Sequence, residues 1–206
     1  MKNKKGLPLM MAGLLLVAAA LCLCGYNIYD SQRAGETARQ AAQALQAALP
    51  EEETETLSLP GEEMIPDYVL NPGMDMPHVI VDGEAYIGLL EIPALGLTLP
   101  VMEEWSYPRL QLAPCRYSGS VYAGNMVVVA HNYRAHFGRL TELSPGDMVY
   151  FTDVDGHRFA YTMEAREVVA PTSARELKES GWALVLFTCT ADGRSRTAVY
   201  CSPAEG

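Results

Sequence analysis

Three side chains far apart in the chain, His131, Cys189 and Arg196, have the types needed for acyl transfer through a thiol. Cys189 follows the strand-like run ALVLFT and precedes a polar, Gly-containing turn, TADGRSR. That pattern predicts a sulfur at the rim of a β-structure, within reach of solvent. A thiol is already a capable nucleophile near neutrality, and a cationic neighbour raises its ionised fraction. Two cations follow closely. Arg196 opens the next strand-like run, whereas Arg194 lies inside the turn, so Arg196 is the one expected in register beside Cys189. Its guanidinium is permanently charged and cannot act as a base, but it can donate to a carbonyl that becomes an oxyanion. His131 ends the run NMVVVA, where a strand meets its loop, and is followed by Asn132 and Tyr133. Read singly, each residue has a plainer alternative: Cys189 as core filler, Arg196 as a solvated cation, His131 as a structural strand-end residue.

The remaining candidates are weaker. His136 falls on a predicted short helix, His157 beside a hairpin turn and His78 ahead of the first strand. No His-x-x-x-His or Cys-x-x-Cys pair lies outside the amino-terminal apolar run, so neither a metal site nor a cofactor is expected. Glu103 and Glu104 read as two solvated carboxylates, because calcium requires about six or more oxygens. With Cys189 kept as a thiol, a Cys115–Cys201 disulfide is arithmetically allowed; two buried free thiols are the default.

These residues need a scaffold. From His78 onward the sequence breaks into short β-rich runs: HVIV, AYIGLLEI, LTLPVM, NMVVVAH, MVYFTD, HRFAYTMEA, EVVA, ALVLFTC and RTAVYC. Asp82-Gly83, Ser118-Gly119, Pro145-Gly146-Asp147, Asp155-Gly156 and Asp192-Gly193 separate them with turn chemistry. Two short helices are expected, around 134–141 and 173–180. The pattern predicts a mainly β domain over residues 78–203, a closed barrel of about eight strands or else a sandwich. The barrel is preferred because VLF and VVVA are apolar at consecutive positions, as strands buried on both sides are.

Ahead of the domain, no residue from Gly6 to Tyr29 is charged, and Lys2, Lys4 and Lys5 precede that stretch. Its length suits a transmembrane anchor over 6–29 better than a cleaved signal. The basic flank predicts a cytoplasmic segment at 1–5 and a catalytic domain outside the cell, single-pass in the cell membrane. Residues 30–77 read as a stalk, helical until Pro50 and then extended and acidic. Residues 51–75 carry eight acids and no Lys or Arg, against ten bases and fifteen acids in residues 76–206. A net charge of −10 argues against sequence-independent nucleic-acid binding, which needs clustered cations.

The order His131, then Cys189 within LVLFTC, then Arg196 opening the last strand resembles the sortases, cysteine transpeptidases of Gram-positive cell surfaces. The likeness covers roughly residues 78–203, including YIGLLEIPALGLTLPV, VVVAHN and FGRLTELSPGDMVYF, and looks closest to class B-like members. The usual signature is Thr-Leu-x-Thr-Cys; here Leu186, Thr188 and Cys189 are kept, and Val185 stands where the family places its first Thr. The resemblance implies that Cys189 attacks a peptide carbonyl in a carboxyl-terminal sorting signal, giving a thioacyl enzyme. His131 would then serve the leaving and incoming amines. The acceptor would be a peptidoglycan precursor or a pilin lysine, with Arg196 holding the oxyanion or the substrate carbonyl. It further implies substrate contacts from Asn132, Thr188, Thr190 and Trp182, with the loop at about 170–182 as a selectivity element. Two rivals keep the fold: a non-catalytic surface binding or assembly module, and a thiol hydrolase using water. A papain-like hydrolase fails on chain order, because there the Cys precedes its His.

Overall fold

The structure, a computed structural model, describes residues 6–49, 65–190 and 192–204. The acidic run of the predicted stalk, 51–64, lies outside the described residues. Nine strands form one sheet: β1 (Val79–Val81), β2 (Glu84–Ile92), β3 (Leu97–Met102), β4 (Cys115–Ser118), β5 (Met126–Val129), β6 (Met148–Asp153), β7 (Arg158–Val169), β8 (Leu184–Cys189) and β9 (Arg196–Pro203). Their spatial order is β1-β2-β3-β4-β5-β8-β9-β7-β6, and β6 pairs back onto β2. That last pairing closes an eight-stranded barrel, with β1 as an extra hairpin arm, and leaves no free edge around the ring. The predicted barrel is the observed one.

Local chemistry explains the path. Asp82 and Gly83 both take positive φ, 51° and 83°, which makes the tight two-residue turn joining β1 to β2. Two predicted runs, HRFAYTMEA and EVVA, merge into the single strand β7, and a bulge between Met163 and Ala165 resets its alternation. Arg166 survives in mid-strand because its guanidinium donates to the carbonyls of Thr141 and Leu143. β4 is missing from the predicted strands, being short, half-polar and next to Ser118-Gly119. The helix expected at 134–141 is instead a series of turns ending in a 3-10 turn, Leu140–Glu142, whereas the later one is α4 (Ala174–Lys178).

Two apolar clusters line the barrel wall. Met126, Val128, Leu184, Leu186, Val199 and Cys201 belong to the interior cluster. Val127, Val129, Val185, Phe187, Ala198 and Tyr200 belong to an outer one, covered by α3 (Tyr107–Leu110), α4 and the long helix α1 (Gly6–Ala48). This period-two division along β5, β8 and β9 fixes which face each neighbouring residue presents.

α1 is one unbroken helix of 43 residues. Its first part is long and apolar enough to cross a membrane. Its second part lies on the barrel: Ala34, Ala38, Ala41, Ala42 and Leu45 are buried, three or four residues apart on one stripe. Alanines bring the helix axis close, and at Gly35 even a Cβ would fall 2.6 Å from that of Ala135. The helical half of the predicted stalk is therefore not a free spacer. Alanine there provides a contact face as well as helix propensity. The chain rejoins the barrel before His78, since α2 (Asp67–Leu70) carries Tyr68, stacked on Tyr122 at 4.8 Å, and Met76 is buried.

Candidate active site

β5 and β8 run parallel with Val129 opposite Phe187. Past the end of β5 the chain stays tied to β8. The amide of Ala130 donates to the carbonyl of Phe187 at 3.2 Å, and the Thr188 hydroxyl donates to the carbonyl of Ala130 at 2.8 Å. The paired register ends at Val129 and Phe187, and His131 and Cys189 each lie two residues beyond it. On the other side of β8, β9 runs antiparallel and Cys189 is the partner of Arg196. Cys189 and Arg196 are therefore direct neighbours across β8 and β9, roughly 4.8 Å apart, and His131 lies on the loop that follows β5. Alternation puts Cys189 and Arg196 on the outer face, following Phe187 and Ala198.

The three cysteines of the barrel have different surroundings. Cys115 and Cys201 are fully buried, and burial pushes both thiols up to about 12. Cys189 is partly exposed. A Cys115–Cys201 disulfide is excluded: both are free, and they face opposite sides of the wall, Cys115 outward and Cys201 inward. Strands β5 and β8 stand between them.

His131 is half-buried. Burial lowers its pKa below the ordinary histidine value, and the Asp30 carboxylate opposes that shift. Its loop is pinned: the carbonyl of His131 accepts from Phe137, and that of Tyr133 accepts from His136 and Gly138, the latter at 2.9 Å. Gly138 is required there, because a Cβ would lie 2.7 Å from the Tyr133 oxygen.

The β8–β9 turn is closed by Thr190. Its hydroxyl donates to Asp192 at 2.6 Å and accepts from the amide of Ser195 at 3.1 Å. This hydroxyl holds the Asp192 carboxyl below its usual range. The Arg196 guanidinium donates to the Ser195 carbonyl at 2.9 Å, which holds its head over the turn. Arg194 is exposed, as expected of a residue inside the turn.

Not every predicted contact residue lies beside Cys189 and Arg196. Asn132 is next to His131 and half-buried. Thr188 points inward with its hydroxyl committed to Ala130, so it ties His131's strand to β8 and does not face a substrate. Thr190 is committed to the turn. Trp182 lies before β8 and packs on Tyr200, ring centroids 5.7 Å apart, about 20 Å along the strand from Cys189. His157 is at the other end of the barrel, its Nδ1 3.0 Å from the buried carboxylate of Asp153, which also accepts the Tyr122 hydroxyl. His136 is fully buried with both ring nitrogens unpartnered. Among the described residues no cluster of three His, Cys, Asp or Glu side chains is placed to hold a metal.

One feature escapes any reading of single runs. Phe187, two residues before Cys189 on the same face, meets Tyr117 edge-on at 5.3 Å, and Trp105 lies 5.5 Å from Tyr117. Lys178 of α4 sits over the Tyr117 ring at 4.6 Å. The loop carrying α4 thus walls one side of an aromatic track that leads away from the thiol.

Comparisons with known proteins agree with this architecture. The family model described as "Sortase domain" matches residues 90–204, more than half of the chain. Among solved structures, sortase C1 from Streptococcus suis is 26% identical with a TM-score of 0.51, over 59% of this chain and 74% of that one. A Clostridium perfringens sortase D5 transpeptidase is 20% identical with a TM-score of 0.53, over 62% and 83% of the two chains. Sortase C1 from Streptococcus agalactiae is 20% identical with a TM-score of 0.52, over 70% and 79%. The last two likenesses speak for the fold alone. No curated protein matches the sequence. These neighbours carry C and D type names, and the family model names the family without a subclass. With the family model running from the end of β2 through β9, the chain belongs to the sortase family.

Proposed function

We propose that this sortase is an active, membrane-anchored cysteine transpeptidase in which Cys189 is the nucleophile, His131 the proton carrier and Arg196 the oxyanion donor. The observation that carries the reading is the cross-strand pairing of Cys189 with Arg196 beside the β5–β8 ladder, whose β5 strand leads into His131 two residues past its end. Cys189 attacks the carbonyl of a peptide bond in a sorting signal. A C–S bond forms as the C–N bond breaks, and the amine departs with a proton from the His131 imidazolium. The thioester keeps the acyl group activated. An incoming neutral amine, from a cell-wall precursor or a pilin lysine, attacks it, gives a proton back to His131, and expels the Cys189 thiolate. Arg196 and nearby backbone N–H groups stabilise the oxyanion in both steps. The aromatic track of Phe187, Tyr117 and Trp105, with α4 as a wall, fits the part of the signal that precedes the cleaved bond.

The apolar half of α1 is the anchor in this reading. Lys2, Lys4 and Lys5 keep the amino terminus in the cytoplasm, which puts the barrel outside the cell membrane. The test is incubation of the full chain, in lipid nanodiscs, with a library of sorting-type peptides, with and without an added amine. The expected result is an acyl adduct on Cys189 by intact mass, and a new amide product only when the amine is present. No adduct with any peptide would favour a binding module. An adduct that yields only the free acid at saturating amine would favour a hydrolase.

A further inference from the structure

α1 meets the His131 loop at a polar side-chain contact. The Tyr133 hydroxyl donates to the Asp30 carboxylate at 2.5 Å, joining residues 103 positions apart. Asp30 is the first charged side chain after the apolar stretch, so this contact falls where α1 leaves the membrane span. Tyr133 is bonded into the loop through its own carbonyl, which takes the amides of His136 and Gly138, and its ring lies 5.0 Å from that of His131. One helical turn further on, Gly35 presses against Ala135, and Ala34 and Ala38 are buried. The loop is thus clamped by the helix.

We infer that Asp30 is a positioning residue for His131: by holding the Tyr133 hydroxyl it fixes the loop that carries the imidazole. The inference rests on the role proposed for His131. A carboxylate suits this place better than an amide for a physical reason. Burial disfavours the charged ring, and Asp30 is the group that offsets this. On its own loop the titratable rings beside His131 are Tyr133 and His136, and the loop also carries the exposed Arg134. Of these, His136 is pushed down to about 4 by burial and is neutral through the working range. Burial and the Asp30 bond push Tyr133 up to about 12, so it stays a donor.

Two measurements on the full chain in nanodiscs test this. In a Cys189→Ala background, the ring proton resonances of His131 are titrated with and without Asp30→Asn. The substitution should move the His131 titration to lower pH, whereas Tyr133→Phe, which keeps the carboxylate, should leave it nearly in place. In the otherwise native chain, both variants should lower kcat for thioacyl formation about 3- to 30-fold with little change in KM. An unmoved titration together with unchanged kcat would overturn the inference. If Asp30→Asn lowers the melting temperature strongly, Tyr133→Phe carries the kinetic test. The titration does not require turnover, so it separates failure of this inference from failure of the proposed activity.

Discussion

Cys189 and Arg196 are cross-strand partners in the β8–β9 ladder, separated in sequence only by the turn that Thr190 closes. This pairing ties the reactivity of the thiol to the geometry of a six-residue connection, 190–195, and it makes the two arginines of that segment unequal.

Arg196→Ala should reduce kcat/KM for thioacyl formation by about 10²–10³, the usual loss when an oxyanion donor is removed. Arg194→Ala should change it less than about threefold. Single-turnover mass spectrometry with a cleaved peptide reads both. Equal losses would mean that the arginine acts by long-range charge and not from its place in the ladder.

Alkylation should separate the three barrel thiols. With pKa values near 12, Cys115 and Cys201 hold roughly one thiolate in 10⁴ at pH 8, and both are shielded. Iodoacetamide should therefore label Cys189 first, with the other two modified only after unfolding. Peptide mapping without reductant should recover Cys115 and Cys201 unlinked.

Thr188→Val removes the bond to the Ala130 carbonyl and leaves that acceptor buried and unpaired. A stability loss of about 1–2 kcal/mol is expected, read as a lower denaturation midpoint. Loosening of the His131 strand should also reduce turnover. Thr188→Ser should restore most of both.

His136 makes stability depend on pH. Its folded pKa, about 4, lies below the unfolded value near 6.5, so the unfolded chain binds a proton that the folded chain refuses. The contribution is fully present above about pH 6.5 and is lost as pH falls toward 4, by up to about 3 kcal/mol. His136→Phe should flatten that slope and stabilise the protein at pH 4.5, since both ring nitrogens lack partners. Thermal melts across this range check the sign.

Much of the site is legible along the chain because the relevant chemistry is local. The apolar run from Met126 to Ala130 leads directly into His131, LVLFT ends in Cys189, and Arg196 starts a strand. Residue type and position at an element's end are enough to mark all three. What pairs with what is less legible. The parallel register of β5 with β8 joins segments more than fifty residues apart, and the aromatic track of Trp105, Tyr117 and Phe187 draws one residue from each of three segments. Trp182 belongs to a loop expected to meet the substrate, yet it lies at the wrong end of β8. Thr188 carries the family signature but faces inward, a fact set by strand alternation relative to Cys189. The Asp30–Tyr133 bond leaves no trace in any local pattern.

The unbroken course of α1 from its apolar half onto the barrel flank has a kinetic consequence. A flexible tether would let the thiol sample a hemisphere of solvent; with α1 as the proposed anchor, a rigid rod would hold it at one height above the lipid headgroups. With α1 in a bilayer, productive encounters are confined to a thin layer, so a donor or an amine that is itself lipid-attached meets the enzyme by lateral diffusion, at a local concentration far above its bulk value.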